Sequence, residues 1–232
     1  MTRRRGLSRQ VILSLMIAAT TVLGATGCNG LGLGTARPVT WYALNDQLHP
    51  SAAAAQAVHS RRIRRVLMIG PVDANPFYDS TQVAYSRSDI ARAYYQFAAW
   101  TERPAKRLSL LVERRLAARG RFLGVVNSTA GVRGDLLLTL SLDEIFHNAA
   151  KRPQHAQISV HARLIDWRNR TLIAERGFSS NAKVTAPNAA SAVRGLTTAT
   201  TSFLDELAIW VETKGRGPVA VVPSSKNRPR TQ

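Results

Sequence analysis

The chain has 232 residues, 32 of them Lys or Arg against 14 Asp or Glu, giving a formal net charge of +18 with 45% hydrophobic residues and one cysteine. That length suits one ordinary domain with a sizeable core, and a single cysteine excludes an intramolecular disulfide. A balance this basic is an electrostatic footprint for polyanions, either nucleic acid or anionic lipid headgroups, to be weighed against a merely Arg-rich solvated surface.

The first stretch decides between those partners. Arg3, Arg4, Arg5 and Arg9 precede an apolar run of 13 residues over 11–23, broken only by Ser and Thr. Ala25, Thr26 and Gly27 follow, and then Cys28. The layout is that of a secretory signal, with a core shorter than the roughly 20 residues of a comfortable membrane span. Ala25-Thr26-Gly27-Cys28 resembles the bacterial lipobox, with Ala25 where Leu is more usual. A lipobox implies a diacylglycerol on the thiol, cleavage before the cysteine and acylation of the new amino group. The rival is an uncleaved inner-membrane anchor with an unremarkable cysteine. The lipid reading accounts for the position of the only cysteine, and two or more acyl chains, at about 0.8 kcal/mol per buried CH₂, hold a protein durably on a bilayer. Loss of residues 1–27 removes four arginines and leaves +14. An exported protein rarely meets nucleic acid, so no nucleic-acid partner is expected.

Residues 29–38 carry glycine at 30, 32 and 34. No strand precedes them, so they lack the context of a phosphate-binding loop and read as a flexible tether reaching about 18 Å on average. Residues 39–44 predict a first strand from Val, Thr, Trp and Tyr. Residues 45–60 are polar and alanine-rich, a loop with room for a short helix. A strand is predicted over 63–72, ended by Gly70-Pro71, then a turn over 76–79, a strand over 81–87, and extended chain from Ile90 to Phe97 leading to Trp100.

Residues 101–120 give the clearest helix. Thr101 suits its cap, Glu102 and Pro104 its first turn, and Gly120 its C′ position. Ala105, Leu108, Leu111, Val112 and Leu116 fall on one face. A short strand is predicted over 121–126. Over 134–146, Leu136, Leu138, Leu140 and Leu142 alternate with polar residues, although Leu137 breaks the rule. Over 156–166, Ile158, Val160, Ala162 and Leu164 alternate with Gln157, Ser159, His161 and Arg163. Such period-two patterns predict strands with one face buried and one wet. Residues 166–170 turn the chain into a strand over 171–178. Asn188 is the expected cap of a second helix with Val193, Leu196, Phe203, Leu207 and Trp210 on one stripe. The basic, proline-containing end predicts a disordered tail.

The expected organisation is a signal at 1–27, the lipidated Cys28 and tether at 28–38, one folded domain at 39–212, and the tail at 213–232. Its fold class is α+β: a mixed or largely antiparallel sheet with two main helices packed on one face.

Little in this chain points to catalysis, a metal or a cofactor. His49, His59, His147, His155 and His161 fall in predicted loops or on a wet strand face, without the i, i+4 spacing of a helical zinc site. Asp143 and Glu144 are adjacent on a predicted strand and point to opposite faces. Arg133-Gly134-Asp135 reads as a turn into a strand, and Asn127-Ser128-Thr129 is a sequon without meaning in a bacterial lipoprotein.

The chain resembles the ABC-type transport auxiliary lipoprotein family, which includes the paraquat-inducible lipoprotein. The residues that carry the likeness are the lipobox ending at Cys28, Trp41-Tyr42-Ala43-Leu44, Ile69-Gly70-Pro71-Val72, Gln82 to Arg87, and Tyr95 through Trp100 with the helix after it. Where the family reads Tyr-Arg, Ser86 here separates Tyr85 from Arg87, and Thr101-Glu102-Arg103-Pro104 stands in place of the compact Ala-Glu-Pro after Trp100. The resemblance implies a non-catalytic subunit of an envelope phospholipid-transport complex. It would be lipid-anchored at the outer membrane, facing the periplasm, with an MCE-domain (mammalian cell entry) protein and ABC transporter subunits as partners and a homo-oligomeric ring as a plausible assembly. Tyr42, Leu44, Gly70, Pro71, Val72, Tyr85, Arg87, Trp100 and Pro104 are the family-motif positions, expected to be structural. The rivals are a carrier holding an acyl chain in its own cavity and a structural envelope lipoprotein.

Overall fold

The computed structural model describes residues 37–47 and 62–217. The signal, Cys28 and most of the tether, the short helix expected within 45–60, His49, His59 and the tail from 218 onward lie outside the described residues.

The elements run β1 (Thr40–Tyr42), β2 (Ile63–Ala74), β3 (Gln82–Ser86), β4 (Ala93–Trp100), α1 (Pro104–Ala118), β5 (Phe122–Asn127), β6 (Leu136–Asn148), β7 (His155–Asp166), β8 (Thr171–Lys183) and α2 (Ala189–Gly215). The eight strands form one mixed sheet with β6 at its centre. One edge of β6 pairs antiparallel with β7 along its length, and β7 pairs antiparallel with β8. Its other edge is shared. Leu136 to Leu142 pair parallel with β2, whereas His147 and Asn148 pair parallel with β3. β5 flanks β2, and β4 and then β1 continue the sheet beyond β3.

Both helices cover the face onto which β6 and β7 turn their alternating apolar residues. Leu136, Leu138, Leu142, Val160, Ala162 and Leu164 are all fully buried there, and the predicted stripes of α1 and α2 pack against them. This is the expected α+β arrangement.

Several boundaries differ from the expectation, each for a local reason. β2 does not end at Gly70-Pro71. The register against β6 shifts between Ile69 and Val72 and the strand resumes to Ala74, because a bulge accommodates a residue without an N–H. β4 starts at Ala93 rather than Ile90, since Ser88 and Ser86 tie residues 86–91 into a turn: Ser86 Oγ donates to the Ala91 carbonyl (2.7 Å) and Ala91 N to Ser88 Oγ (3.1 Å). Thr101 does not cap α1. Its N–H donates to the Tyr42 carbonyl at 2.8 Å, and the helix opens on Pro104, whose missing N–H costs nothing at that position. The other end follows expectation, with Gly120 at φ 60° just after the Arg119 cap. α2 begins as predicted, Asn188 Oδ1 accepting from Ser191 N at 2.9 Å. It runs on to Gly215, past the expected start of the tail at 213, because Gly215 lets the last turn settle against Phe122 and Leu136, which a Cβ would meet at 3.1 and 3.3 Å.

A second bulge, between Leu142 and Glu144, reverses the alternation of β6. Before it the even-numbered side chains face the helices; beyond it Ile145 and His147 do, opposite the buried Ile158 and Ala156 of β7, while Phe146 is buried on the other face. His147 was expected in a loop or on a wet face. The extra residue turns it inward, and it is fully buried.

Candidate functional site

The motif positions fall into two groups. The larger gathers where α1 begins. Trp100 and Leu44 are each 2% exposed and Pro104 is buried at the first helical turn. Trp100 N donates to the Thr81 carbonyl (2.6 Å), and the Thr101–Tyr42 hydrogen bond ties β1 to the same spot. Arg107 Nε donates to the Leu44 carbonyl at 2.8 Å, and Ser109 Oγ approaches the Gly70 carbonyl at 3.5 Å. Gly70 itself lies close against β6, where a Cβ would meet the Leu138 carbonyl oxygen at 3.3 Å. Tyr42, Leu44, Gly70, Trp100 and Pro104 thus fix one end of α1 to the sheet.

Pro71 and Val72, in the same group, face an open groove of about 620 Å³ between the bulge of β2, the first half of α1 and the turn after β5. Ala105, Ser109 and Leu110 form its helix wall and Asn127 and Thr129 its far side. Asn127 Oδ1 holds that turn by accepting from Thr129 N (2.9 Å) and Thr129 Oγ1 (2.8 Å). The rim carries both signs of charge: Arg103 pairs with Asp79 at 3.1 Å, and Glu102 lies 3.7 Å from Arg107 and 4.0 Å from Lys106. Apolar ground from Pro71, Val72, Ala105 and Leu110, beside the polar Ser109, Asn127 and Thr129 and under a rim of mixed charge, suits contact with another surface.

The second group, Tyr85 and Arg87, lies where β3 meets the far end of β6. Tyr85 packs on Tyr95 with ring centroids 4.7 Å apart, and the Arg87 guanidinium sits 5.3 Å over the Tyr85 ring. Tyr95 Oη hydrogen-bonds His147 Nδ1 at 2.7 Å. Burial pushes the Tyr95 phenol up to about 12, with Tyr85 beside it adding to the effect and Arg87 opposing it. Burial also holds His147 below its ordinary value.

Sequence reasoning missed Arg92, which organises the neighbouring corner. Its Nε donates to Tyr78 Oη and its Nη2 to Glu144 Oε1, both at 3.2 Å, while its guanidinium lies 4.1 Å over the Phe146 ring. Glu144 also accepts from Gln157 at 3.1 Å. Tyr78, Glu144 and Phe146 are 14, 52 and 54 residues away from Arg92 in the chain, so no local spacing announces them. Glu144 is therefore engaged and Asp143 exposed; the two were expected on opposite faces, but the bulge of β6 turns both to the wet face, Glu144 opposite Ser159 and Asp143 beside Ser141. Asp135 of the Arg-Gly-Asp tripeptide starts β6 by exchanging hydrogen bonds with Val66, its N–H donating to the Val66 carbonyl (2.9 Å) and its Oδ2 accepting from Val66 N (2.7 Å).

Among the described residues, no group of three or more His, Cys, Asp or Glu is placed to hold a metal ion, and no helix is long and apolar enough to cross a membrane.

Comparison with solved structures finds the same fold. Protein XCC0632 from Xanthomonas campestris is 18% identical, with a TM-score of 0.67 over 76% of this chain and 97% of its own. An uncharacterized protein is 15% identical, with a TM-score of 0.57 over 75% of this chain and 99% of its own. No curated protein matches. The family model described as the ABC-type transport auxiliary lipoprotein component matches residues 42–208, from the end of β1 through most of α2. The chain belongs to that family of transport auxiliary lipoproteins.

Proposed function

We propose that this protein is a non-catalytic, lipid-anchored subunit of an ABC/MCE-type envelope phospholipid-transport complex. It sits at the outer membrane, faces the periplasm and docks the far end of the periplasmic bridge. The observation that carries this reading is the order of two features: a lipobox cysteine, Cys28, and a transport-auxiliary domain whose match starts 14 residues later. Acylation at Cys28 supplies the attachment, and ATP is hydrolysed by another subunit.

The packing of β6 supports docking over carriage of lipid inside the domain. A carrier needs a dry cavity along the leucines of β6, yet Leu136, Leu138, Leu140 and Leu142 are no more than 3% exposed and are packed into the core. The groove at Pro71 and Val72 is lined by none of them.

The test is purification of the full-length protein from its native envelope in mild detergent, with the co-purifying proteins and lipids identified by mass spectrometry. Recovery of an MCE-domain protein is the expected result. Stoichiometric phospholipid without any such protein would overturn docking in favour of a carrier. A Cys28→Ala chain should lose its membrane attachment; if it stays in the membrane fraction, the anchor is not the acylated cysteine.

A further inference from the structure

The edge of the sheet nearest the lipobox in sequence presents apolar side chains to solvent. β1 pairs parallel with β4 in the register Thr40↔Ala98, Trp41↔Ala99 and Tyr42↔Trp100. Side chains of paired residues point to the same face, and so do residues two apart on one strand. Trp41 therefore shares a face with Ala99 and Phe97, and Val39 precedes Trp41 by two positions. Trp41 is 60%, Val39 43% and Phe97 39% exposed. Ile90, on the turn that leads into β4, is 97% exposed. Single exposed apolar residues need no explanation. Three on one face of one strand pair, among them a tryptophan, form a patch.

We propose that this face of β1 and β4 rests on the phospholipid bilayer that holds the anchor, with Trp41 at headgroup level. The inference rests on acylation of Cys28. Ten residues separate Cys28 from Val39, and a chain of that length reaches at most about 35 Å, so the first strand starts within that distance of the headgroups. Tryptophan suits that depth because its ring is apolar while its N–H still finds water or a headgroup oxygen. The remaining charge of +14 once residues 1–27 are lost favours an anionic surface. Contact through β1 lays this face of the domain on the bilayer. Because β1 and the start of α1 are joined at Thr101, it also fixes which end of α1 is nearest the membrane.

The experiment reconstitutes full-length, acylated protein in vesicles of phosphatidylethanolamine and phosphatidylglycerol that carry a spin label near the headgroup. Tryptophan emission is compared between the native chain and Trp41→Phe, a substitution at an exposed side chain. Lipid-dependent quenching in the native chain, lost in Trp41→Phe, is the expected result. If the protein floats with the vesicles but both chains are quenched alike, this face does not touch the bilayer, while the anchor reading stands. A Trp41 signal shielded in lipid-free detergent and dependent on protein concentration would overturn the inference in favour of a second copy covering β1. A chain that does not float at all would overturn the anchor reading and this inference together.

Discussion

Arg115 and Asp46 form a two-pronged ion pair inside the domain. Arg115 Nε donates to Asp46 Oδ2 at 2.9 Å and Nη2 to Asp46 Oδ1, and the two side chains are 7% and 3% exposed. Asp205 of α2 accepts from Nη1. One guanidinium thus ties the segment after β1 to both helices, and Gln47 N adds a bond to Thr201 Oγ1 at 2.9 Å. The planar fork matches a carboxylate in a way Lys does not. Removing one partner of such a buried pair costs about 3–5 kcal/mol. Asp46→Ala should fall near the low end, about 3 kcal/mol, because Asp205 still faces the guanidinium. Arg115→Met combined with Asp46→Leu should recover much of that loss. Urea unfolding of the native chain and the two variants checks both statements. Equal stability of Asp46→Ala and the native chain would mean that the clasp carries no net energy.

Gly195 lets α2 approach β7. A Cβ there would meet the Ala156 Cβ at 2.8 Å and a Val184 methyl at 3.1 Å. Both neighbours are short and one belongs to a strand, so neither can swing away. Alanine gains about 1 kcal/mol of helix propensity, while forcing atoms into a packed core costs about 1–3 kcal/mol. Gly195→Ala should be destabilising on balance and Gly195→Val more so, with a lower urea midpoint in that order. A rise in midpoint for Gly195→Ala would show that helix and sheet separate easily.

Asn188 is the one cap that the sequence identified at the start of a helix and the structure retains. Its side chain satisfies Ser191 N, one of the donors left open at the start of α2. Asn188→Ala should cost about 1 kcal/mol, and Asn188→Asp should cost little. A thermal unfolding series including both variants separates capping from a general effect of substitution.

What could be read from the chain follows from the range of the interactions involved. The alternation in β6 and β7 and the stripes of α1 and α2 were legible because burial imposes a short period on sequence. The two bulges of β2 and β6 were not. Nothing near Gly70 says that β2 continues past Pro71, since β6 supplies the partner, and nothing near Leu142 says that the alternation is about to change parity. His147 was misplaced for that reason. Arg115 was hidden in a different way: a charged residue on an apolar stripe reads as a break, and its carboxylates lie 69 and 90 residues away. At the start of α1 the motif residues were legible as a family pattern. Their division into those that fix the helix and the pair that faces the groove required the fold.

The burial of His147 has a consequence for pH. The ring is fully buried and bonded to Tyr95, so taking up a proton there means placing a charge in a poorly solvated site. Burial holds its folded-state pKa below the ordinary value of 6.5. The unfolded chain then binds more protons than the fold as pH falls through that value, and stability rises with pH wherever the unfolded state holds the extra proton. The contribution is complete above about pH 6.5 and is lost progressively below it. Tyr95, pushed up to about 12, stays neutral throughout and adds nothing in that window. His147→Gln keeps a polar partner for the Tyr95 hydroxyl but cannot titrate. Melting temperatures of the two chains, taken between about pH 7 and about pH 5, should fall more steeply for the native protein than for the variant. The other four histidines are the same in both chains, so the difference between the two profiles isolates His147. Parallel profiles would mean that His147 is solvated in solution and that the bulge in β6 does not keep it buried.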